Sequence, residues 1–70
     1  MMKLREKWKI GDYCVLEGDI EKLRVMYHYF DIYEKKERMI LTGNKGTVLD
    51  LSDDRNLRRI KEENDNIHRY

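Results

Sequence analysis

The sequence predicts a mainly β domain of short antiparallel strands with a helical insertion after the first strand. Gly43 and Gly46 flank a turn that leads into the β-favouring run at residues 47–49. Short apolar runs before and after this turn indicate further strands. Residues 19–36 contain no Gly or Pro and begin with Asp19, a residue that suits a helix N-cap, which favours a helix there.

The composition limits both the core and the classes of function. Seventy residues, of which 41% are charged and 40% hydrophobic, can form one domain with a small core and little room for a deep cleft. Fifteen basic and fourteen acidic side chains give a net charge of +1, so no large field of one sign steers nucleic acid to the molecule. No apolar run approaches the roughly 20 residues that cross a bilayer, and no signal peptide is recognisable. We therefore expect a soluble cytoplasmic protein that does not bind membranes.

The first 18 residues predict a cover for the core followed by the first strand. Leu4 and Trp8 lie four residues apart in a charged segment that could form a helical turn or a strap, with Trp8 covering one end of the core. Residues 13–17 are a short β-favouring run that ends at Gly18. Cys14 lies inside this run, so we expect a buried, protonated thiol that is not a nucleophile and forms no internal disulfide.

Residues 19–36 are predicted to form the helical insertion. At 100° per residue, one arc of about 140° collects most of the apolar and aromatic side chains and would face the core. Val25, Tyr29 and Ile32 fall outside this arc, and we expect this exposed stripe to bind a protein partner. The segment is also rich in strand formers, so an extended β-arm is the alternative. The arc comprises Ile20, Leu23, Met26, Tyr27, Phe30 and Tyr33.

Residues 38–51 predict a β-hairpin. The apolar run at 38–41 would pair with residues 47–51 across a four-residue connection at 43–46. The alternating charges at residues 34–38, just before the hairpin, are typical of a solvated surface.

The segment at residues 57–63 fits two structures. As a helix it would have Ser52 as its N-cap and ion pairs at a spacing of four residues. As a strand it would pair with residues 47–51, turn at residues 64–66 and return as a short strand at 67–70. We favour the strand because of the resemblance described next.

Three pieces of the sequence together resemble an SH3-like small β-barrel. Gly11-Asp12 and residues 13–15 resemble the opening strand, and the Gly-x-x-Gly-x-Val pattern at residues 43–48 resembles the core of KOW-type modules. Residues 59–70 resemble the strand, tight turn and short strand that close such a barrel. The segment at 19–42 is longer than the segment that joins the corresponding pieces in the simplest KOW module. KOW modules bind RNA or polymerase-associated proteins, and other SH3-like barrels bind peptides. The resemblance therefore implies that this protein binds RNA, a protein or a peptide.

The sequence contains no recognisable catalytic or metal pattern. One Cys, two distant His residues and an acidic group at Asp50, Asp53 and Asp54 lack the spacing of zinc and calcium sites. Almost every carboxylate has a Lys or Arg within four residues, which is typical of a surface with many ion pairs. We predict no enzymatic activity, no metal and no cofactor.

Two functions fit the sequence. The first is a protein-interaction module, an adaptor or inhibitor of a larger intracellular machine, whose partner contacts the stripe at Val25, Tyr29 and Ile32. The second is a nucleic-acid-binding module with a basic edge. This edge would contain Lys45, Arg58, Arg59 and Arg69, with Arg55 and His68 beside them and Tyr70 available for stacking.

Overall fold

Residues 3–60 of the computed structural model are described here, and they form one short helix and five strands. The strands make a single antiparallel sheet in the order β4-β3-β2-β1-β5. Four consecutive strands form a meander, and the last described strand returns beside the first. This confirms the mainly β fold, although the sheet is not closed into a barrel. The elements are α1 (Leu4–Lys7), β1 (Tyr13–Leu16), β2 (Leu23–Asp31), β3 (Lys36–Gly43), β4 (Val48–Leu51) and β5 (Leu57–Ile60).

The prediction of a helical insertion at residues 19–36 is wrong, because the middle of this segment forms the long strand β2. The register between β2 and β3 shifts between Val25 and Tyr27, which makes Met26 the extra residue of a β-bulge. The bulge shifts the alternation of the strand by one residue, so the apolar side chains do not follow a simple period of two. Their spacing across the bulge imitates the period of a helix.

The core lies on one face of the sheet, and α1 with the following Trp8 covers it. Trp8 is only 4% exposed, which confirms that this side chain covers the core. Cys14 is fully buried, as predicted. The buried cluster consists of Leu4, Trp8, Cys14, Leu23, Val25, Met39 and Leu41, and Leu16, Leu49, Leu51 and Leu57 pack against it.

Three aromatic side chains that were expected in the core are exposed. Tyr27 is 57%, Phe30 55% and Tyr33 90% exposed. Tyr27 follows the bulge and lies on the face opposite the core, and Tyr33 belongs to the turn after β2. Phe30 pairs with Glu37 near the end of the hairpin, beyond the buried cluster. The helical arc therefore grouped residues that the strand separates.

Trp8 connects the N-terminal segment to three other parts of the fold. Its indole N–H donates to Asp54 Oδ2 at 2.9 Å, in the connection between β4 and β5. Its backbone carbonyl accepts a hydrogen bond from His28 Nε2 at 2.7 Å, on β2. The guanidinium of Arg59, on β5, lies 4.2 Å from the centroid of the Trp8 ring. These contacts hold the N-terminal segment on the sheet.

The predicted hairpin at residues 38–51 is confirmed as β3 and β4. The Gly43 N–H donates to the Thr47 carbonyl at 3.0 Å and closes a loop in which Gly46 has φ +87°. A three-residue loop with Gly in the left-handed region is a common hairpin connection. Glu21 holds this loop from the side, since it accepts hydrogen bonds from Thr47 Oγ1 at 2.8 Å and from the Lys45 N–H at 3.3 Å.

The strand interpretation of residues 57–63 is confirmed where the structure describes it. β5 covers Leu57–Ile60, but the expected pairing with residues 47–51 is wrong, because β5 pairs with β1 and β4 lies at the opposite end of the described sheet. The expected turn at residues 64–66 and strand at 67–70 lie outside the described residues, as does Arg69.

Candidate functional site

The face of the sheet opposite the core carries a cluster of aromatic and aliphatic side chains. Tyr27 lies opposite Ile40 across β2 and β3, and Val48 lies on the neighbouring strand β4. Val48 is 66% exposed, whereas Tyr29 and Ile40 are half-buried. The rings of Tyr27 and Tyr29 are stacked with centroids 6.2 Å apart. We call Tyr27, Tyr29, Ile40 and Val48 the outer-face cluster.

The β-bulge at Met26 creates this cluster. Leu23 and Val25 point into the core before the bulge, and an unbroken alternation would place Tyr27 and Tyr29 on that same side. The extra residue reverses the alternation, so both Tyr side chains lie on the outer face. Bulges are common where a strand must re-aim a functional side chain.

A network of charged groups borders the outer-face cluster. The Tyr29 hydroxyl donates a short hydrogen bond to Asp50, and this bond raises the pKa of Tyr29. Arg38 lies opposite Tyr29 and donates to Asp31 at 3.0 Å, to Glu34 at 2.9 Å and to Asp50 at 3.4 Å. The hydrogen bonds to Asp31 and Glu34 raise the pKa of Arg38. The charges at this end of the sheet are thus largely paired with one another.

The three residues of the expected partner stripe do not share one surface, and the expectation that Val25 contacts a partner is wrong. Val25 is fully buried in the core and cannot contact a partner. Ile32 is exposed in the turn after β2, and Tyr29 belongs to the outer-face cluster. The three residues were grouped by helical geometry, which does not apply to a strand. Alternation along β2 would have paired Tyr29 with Tyr27, which the helical interpretation assigned to the core.

The expected basic edge is not assembled among the described residues. Lys45 lies in the loop beside β4, whereas Arg58 and Arg59 lie on β5 at the opposite edge of the sheet. Arg58 and Arg59 are consecutive in a strand, so their side chains point to opposite faces. Arg59 is also engaged within the fold, since it donates to Asp12 at 2.8 Å and to the Lys7 carbonyl at 2.6 Å.

The acidic group of the sequence is dispersed. Asp50 accepts from Tyr29, Asp53 pairs with Arg55 at 3.2 Å, and Asp54 pairs with Lys7 at 2.8 Å. Between residues 3 and 60, no three His, Cys, Asp or Glu side chains are grouped so that they could hold a metal ion. Burial raises the pKa of the Cys14 thiol, which disfavours the thiolate.

A small cavity of about 80 Å³ lies near the end of the β2–β3 hairpin. Within the described part of the chain, Glu37 Oε1 is buried there without a hydrogen-bond partner, and Glu37 Oε2 lies 3.7 Å from Arg5 Nη1. The cavity is too small for a drug-sized ligand, which needs roughly 300 Å³ or more. Its lining residues are Arg5, His28, Tyr29, Phe30, Glu37 and Arg38.

Two further findings concern the chain as a whole. In the part that the structure describes, no helix is both long and apolar enough to cross a membrane. Comparison of the chain with protein-family models, with curated proteins and with solved structures finds no match.

Proposed function

We propose that this protein is a small non-catalytic interaction module, an adaptor or inhibitor of a larger intracellular machine, and that its partner is a protein. The observation that carries the proposal is the outer-face cluster on an open sheet face. Tyr27 and Val48 are both more than half exposed, although burial of such side chains is favourable by about 25 cal/mol per Å² of apolar area. Tyr is enriched at protein interfaces because its ring is rigid and its hydroxyl tolerates water.

The charges beside the cluster support a protein partner over a nucleic acid. Arg38 is the basic side chain nearest to Tyr29 in the register, and it is hydrogen-bonded to Asp31, Glu34 and Asp50. A phosphate group approaching this end of the sheet would meet three carboxylates around one guanidinium. Charge depletion in the centre and paired polar groups at the rim are the usual anatomy of a protein interface.

The SH3-like barrel is part of the same proposal. Its support is the sheet of five short antiparallel strands, with the Gly43–Gly46 turn between two of them and a strand at residues 57–60. Some SH3-like barrels bind peptides, and a barrel of that kind would recognise a protein partner.

Nucleic-acid binding is the second candidate, and one observation favours it. Tyr13 on β1 has Lys22 Nζ at 4.6 Å and the Arg24 guanidinium at 5.7 Å from its ring centroid. Arg24 pairs with Thr42, which pairs with Val48, so this group shares the outer face. An aromatic ring flanked by cations is a common platform for single-stranded nucleic acids.

A pull-down from native cells with the intact chain, followed by identification of proteins and nucleic acids, supplies the binding partner for the decisive measurement. We expect Tyr27→Ala to lower affinity for a protein partner by about 30-fold, the equivalent of about 2 kcal/mol for a hot spot. Tyr33→Ala is the matched control, because Tyr33 is more exposed but lies outside the cluster. Affinity should change little between low and moderate salt.

The nucleic-acid candidate predicts a different pattern. Log affinity for an oligonucleotide would fall linearly with log salt, with a slope of about −0.7 to −0.9 per phosphate contact. Arg24→Glu would flatten that slope by about one, while Tyr27→Ala would have little effect. This second pattern would overturn the protein-interaction proposal.

A further inference from the structure

Among residues 3–60, β4 is an edge strand, and the register identifies which of its backbone groups point outward. The Gly43 N–H donates to the Thr47 carbonyl, so these two residues form a hydrogen-bonded pair. Hydrogen-bonded and non-hydrogen-bonded pairs alternate along antiparallel strands. The pair of Thr42 with Val48 is one step along the ladder from Gly43 with Thr47, and the pair of Ile40 with Asp50 is three steps along it, so both belong to the non-hydrogen-bonded class. The backbone N–H and C=O groups of Val48 and Asp50 therefore face away from β3.

Over its four described residues, this edge carries no Lys, no Pro and no bulge. Natural edges are commonly blocked by Lys, Pro or a bulge. The sequence of β4 is Val-Leu-Asp-Leu, and its register with β3 continues without a shift over Val48–Leu51. Its one charged side chain, Asp50, accepts hydrogen bonds from Tyr29 and Arg38 of the same sheet. Val48, at the start of the strand, is more than half exposed.

We infer that the outer edge of β4, which pairs with no other strand among the described residues, binds an extended segment of the protein partner as an added strand. The inference rests on the proposed function and specifies its geometry. Only another extended backbone matches the outward N–H and C=O groups of Val48 and Asp50, which repeat at every second residue. The added strand would be continuous with the outer-face cluster, because Val48 belongs to both.

The side chains next to this edge define the chemistry of the segment. On the outer face, an apolar side chain of the added strand would cover Val48 and approach Ile40. On the inner face, an apolar side chain would extend the row of Leu49 and Leu51, which are half-buried and pack against the core. Strand addition takes its specificity from such alternating contacts.

The position of Asp50 favours a basic side chain in the segment. Asp50 lies on β4 itself and shares the Arg38 guanidinium with Asp31 and Glu34, with the longest of the three distances, 3.4 Å. A Lys or Arg side chain beside Asp50, which is half exposed, would give this carboxylate a second cation. The occupant is thus an extended segment with an apolar residue at Val48 and a basic residue near Asp50.

The inference can be tested with selected peptides. A displayed library of random peptides of about ten residues is selected on the full chain, and the best peptide is resynthesised with single N-methyl groups along its backbone. Strand addition predicts a period of two: methylation of alternate amides lowers affinity at least about tenfold, and methylation of the amides between them changes it little. We also expect Val48→Pro, which removes an outward N–H, to weaken binding at least about tenfold. Val48→Thr changes the same side chain but keeps that N–H, so it should weaken binding less than Val48→Pro.

Each other outcome contradicts the inference. N-methylation effects without a period of two would overturn it even if Val48→Pro failed to fold, because the scan alters only the peptide. A library that yields no peptide sensitive to Val48→Pro would also overturn it. A dimer of this chain that Val48→Pro dissociates in sedimentation would assign the edge to a second copy. If Tyr27→Ala abolishes peptide binding while N-methylation has no periodic effect, the proposed function stands and strand addition fails. If neither Tyr27→Ala nor N-methylation of the peptide affects binding, the proposed function and strand addition both fail.

Discussion

The guanidinium of Arg59 stacks on the indole ring of Trp8, 4.2 Å from its centroid. The same guanidinium donates to the Asp12 carboxylate at 2.8 Å and to the Lys7 carbonyl at 2.6 Å. One side chain of β5 thus contacts the N-terminal helix end, the covering Trp and the residue before β1. In this fold Arg59 is a structural residue. The sequence alone placed it in a basic edge, because these contacts join residues far apart in the chain.

Trp8→Ala should be among the most destabilising substitutions in the chain. It removes a buried aromatic ring, the hydrogen bond to Asp54 and the surface on which Arg59 stacks. We expect a loss of about 3 kcal/mol or more in the free energy of unfolding, measured by urea denaturation. Trp8→Phe keeps a buried ring and should cost less. A Trp8→Ala variant as stable as Tyr33→Ala would show that the N-terminal segment does not cover the core.

Stability should fall at acidic pH, in part because of Asp54. The hydrogen bonds from Lys7 and then from Trp8 lower the pKa of Asp54 in the folded protein. A carboxyl whose pKa is lower in the folded state stabilises the fold above its unfolded pKa of about 3.9, and that contribution is lost as the pH falls through the folded pKa. Lys7→Met removes the larger cause, so we expect a smaller loss of stability between about pH 5 and pH 2 than in the parent protein. Equal pH profiles from denaturant titrations would contradict this role.

Gly46→Val should destabilise the fold through the backbone alone. Gly46 has φ +87°, and a Cβ at this position would meet no atom within 4 Å. The expected cost is about 1 kcal/mol or more, because a β-branched residue strongly disfavours the left-handed region. Gly46→Asn is the matched control, since Asn tolerates this region better. An unchanged denaturation midpoint for Gly46→Val would show that the conformation of this turn does not fix the hairpin.

Gly43 and Glu21 should be energetically coupled. A Cβ on Gly43 would overlap the carboxylate of Glu21, which accepts hydrogen bonds from Lys45 and Thr47. Gly43→Ala should therefore displace Glu21 and cost on the order of 1 kcal/mol. In the Glu21→Ala background the same substitution should cost less, and a double-mutant cycle measures the difference. Strictly additive effects would mean that the carboxylate moves aside without loss.

The Cys14 thiol should react slowly in the native protein. The side chain is fully buried, and burial raises its pKa, so the reactive thiolate is scarce at neutral pH. We expect alkylation by iodoacetamide to be much slower in native buffer than in denaturant. Native and unfolded rates of similar size would contradict the burial.

Local signals were sufficient for several elements of the fold. The β-favouring run at 13–17, the two apolar runs around Gly43 and Gly46, and the covering Trp8 are each encoded by neighbouring residues, and each prediction is confirmed. β5 was favoured over a helix only through the resemblance, since its ion pairs at a spacing of four residues suit a helix. Its pairing with β1 joins residues far apart in the chain, which no local pattern reports.

The site depended on a feature that the sequence pattern conceals. A single extra residue at Met26 changes which side chains of β2 face the core, and no residue type marks that position as a bulge. The helical interpretation consequently assigned Tyr27 to the core and Val25 to the surface. Tyr29 was correctly singled out as lying outside the core, but its neighbours on the surface are set by the sheet register.

The pairing of β1 has a consequence for how the protein is made. β1 shares two register pairs with β2, its neighbour in the chain, but four with β5. The hairpins of β2, β3 and β4 involve near neighbours and can form early, whereas the pairing of β1 with β5 requires closure of a long loop. On the ribosome, the pairing of β1 with β5 must therefore wait until β5 is synthesised. During that interval Cys14 can pair with Leu23 of β2 but lacks Arg59 of β5 on its other side, and it is then that we expect the thiol to be most accessible to oxidation.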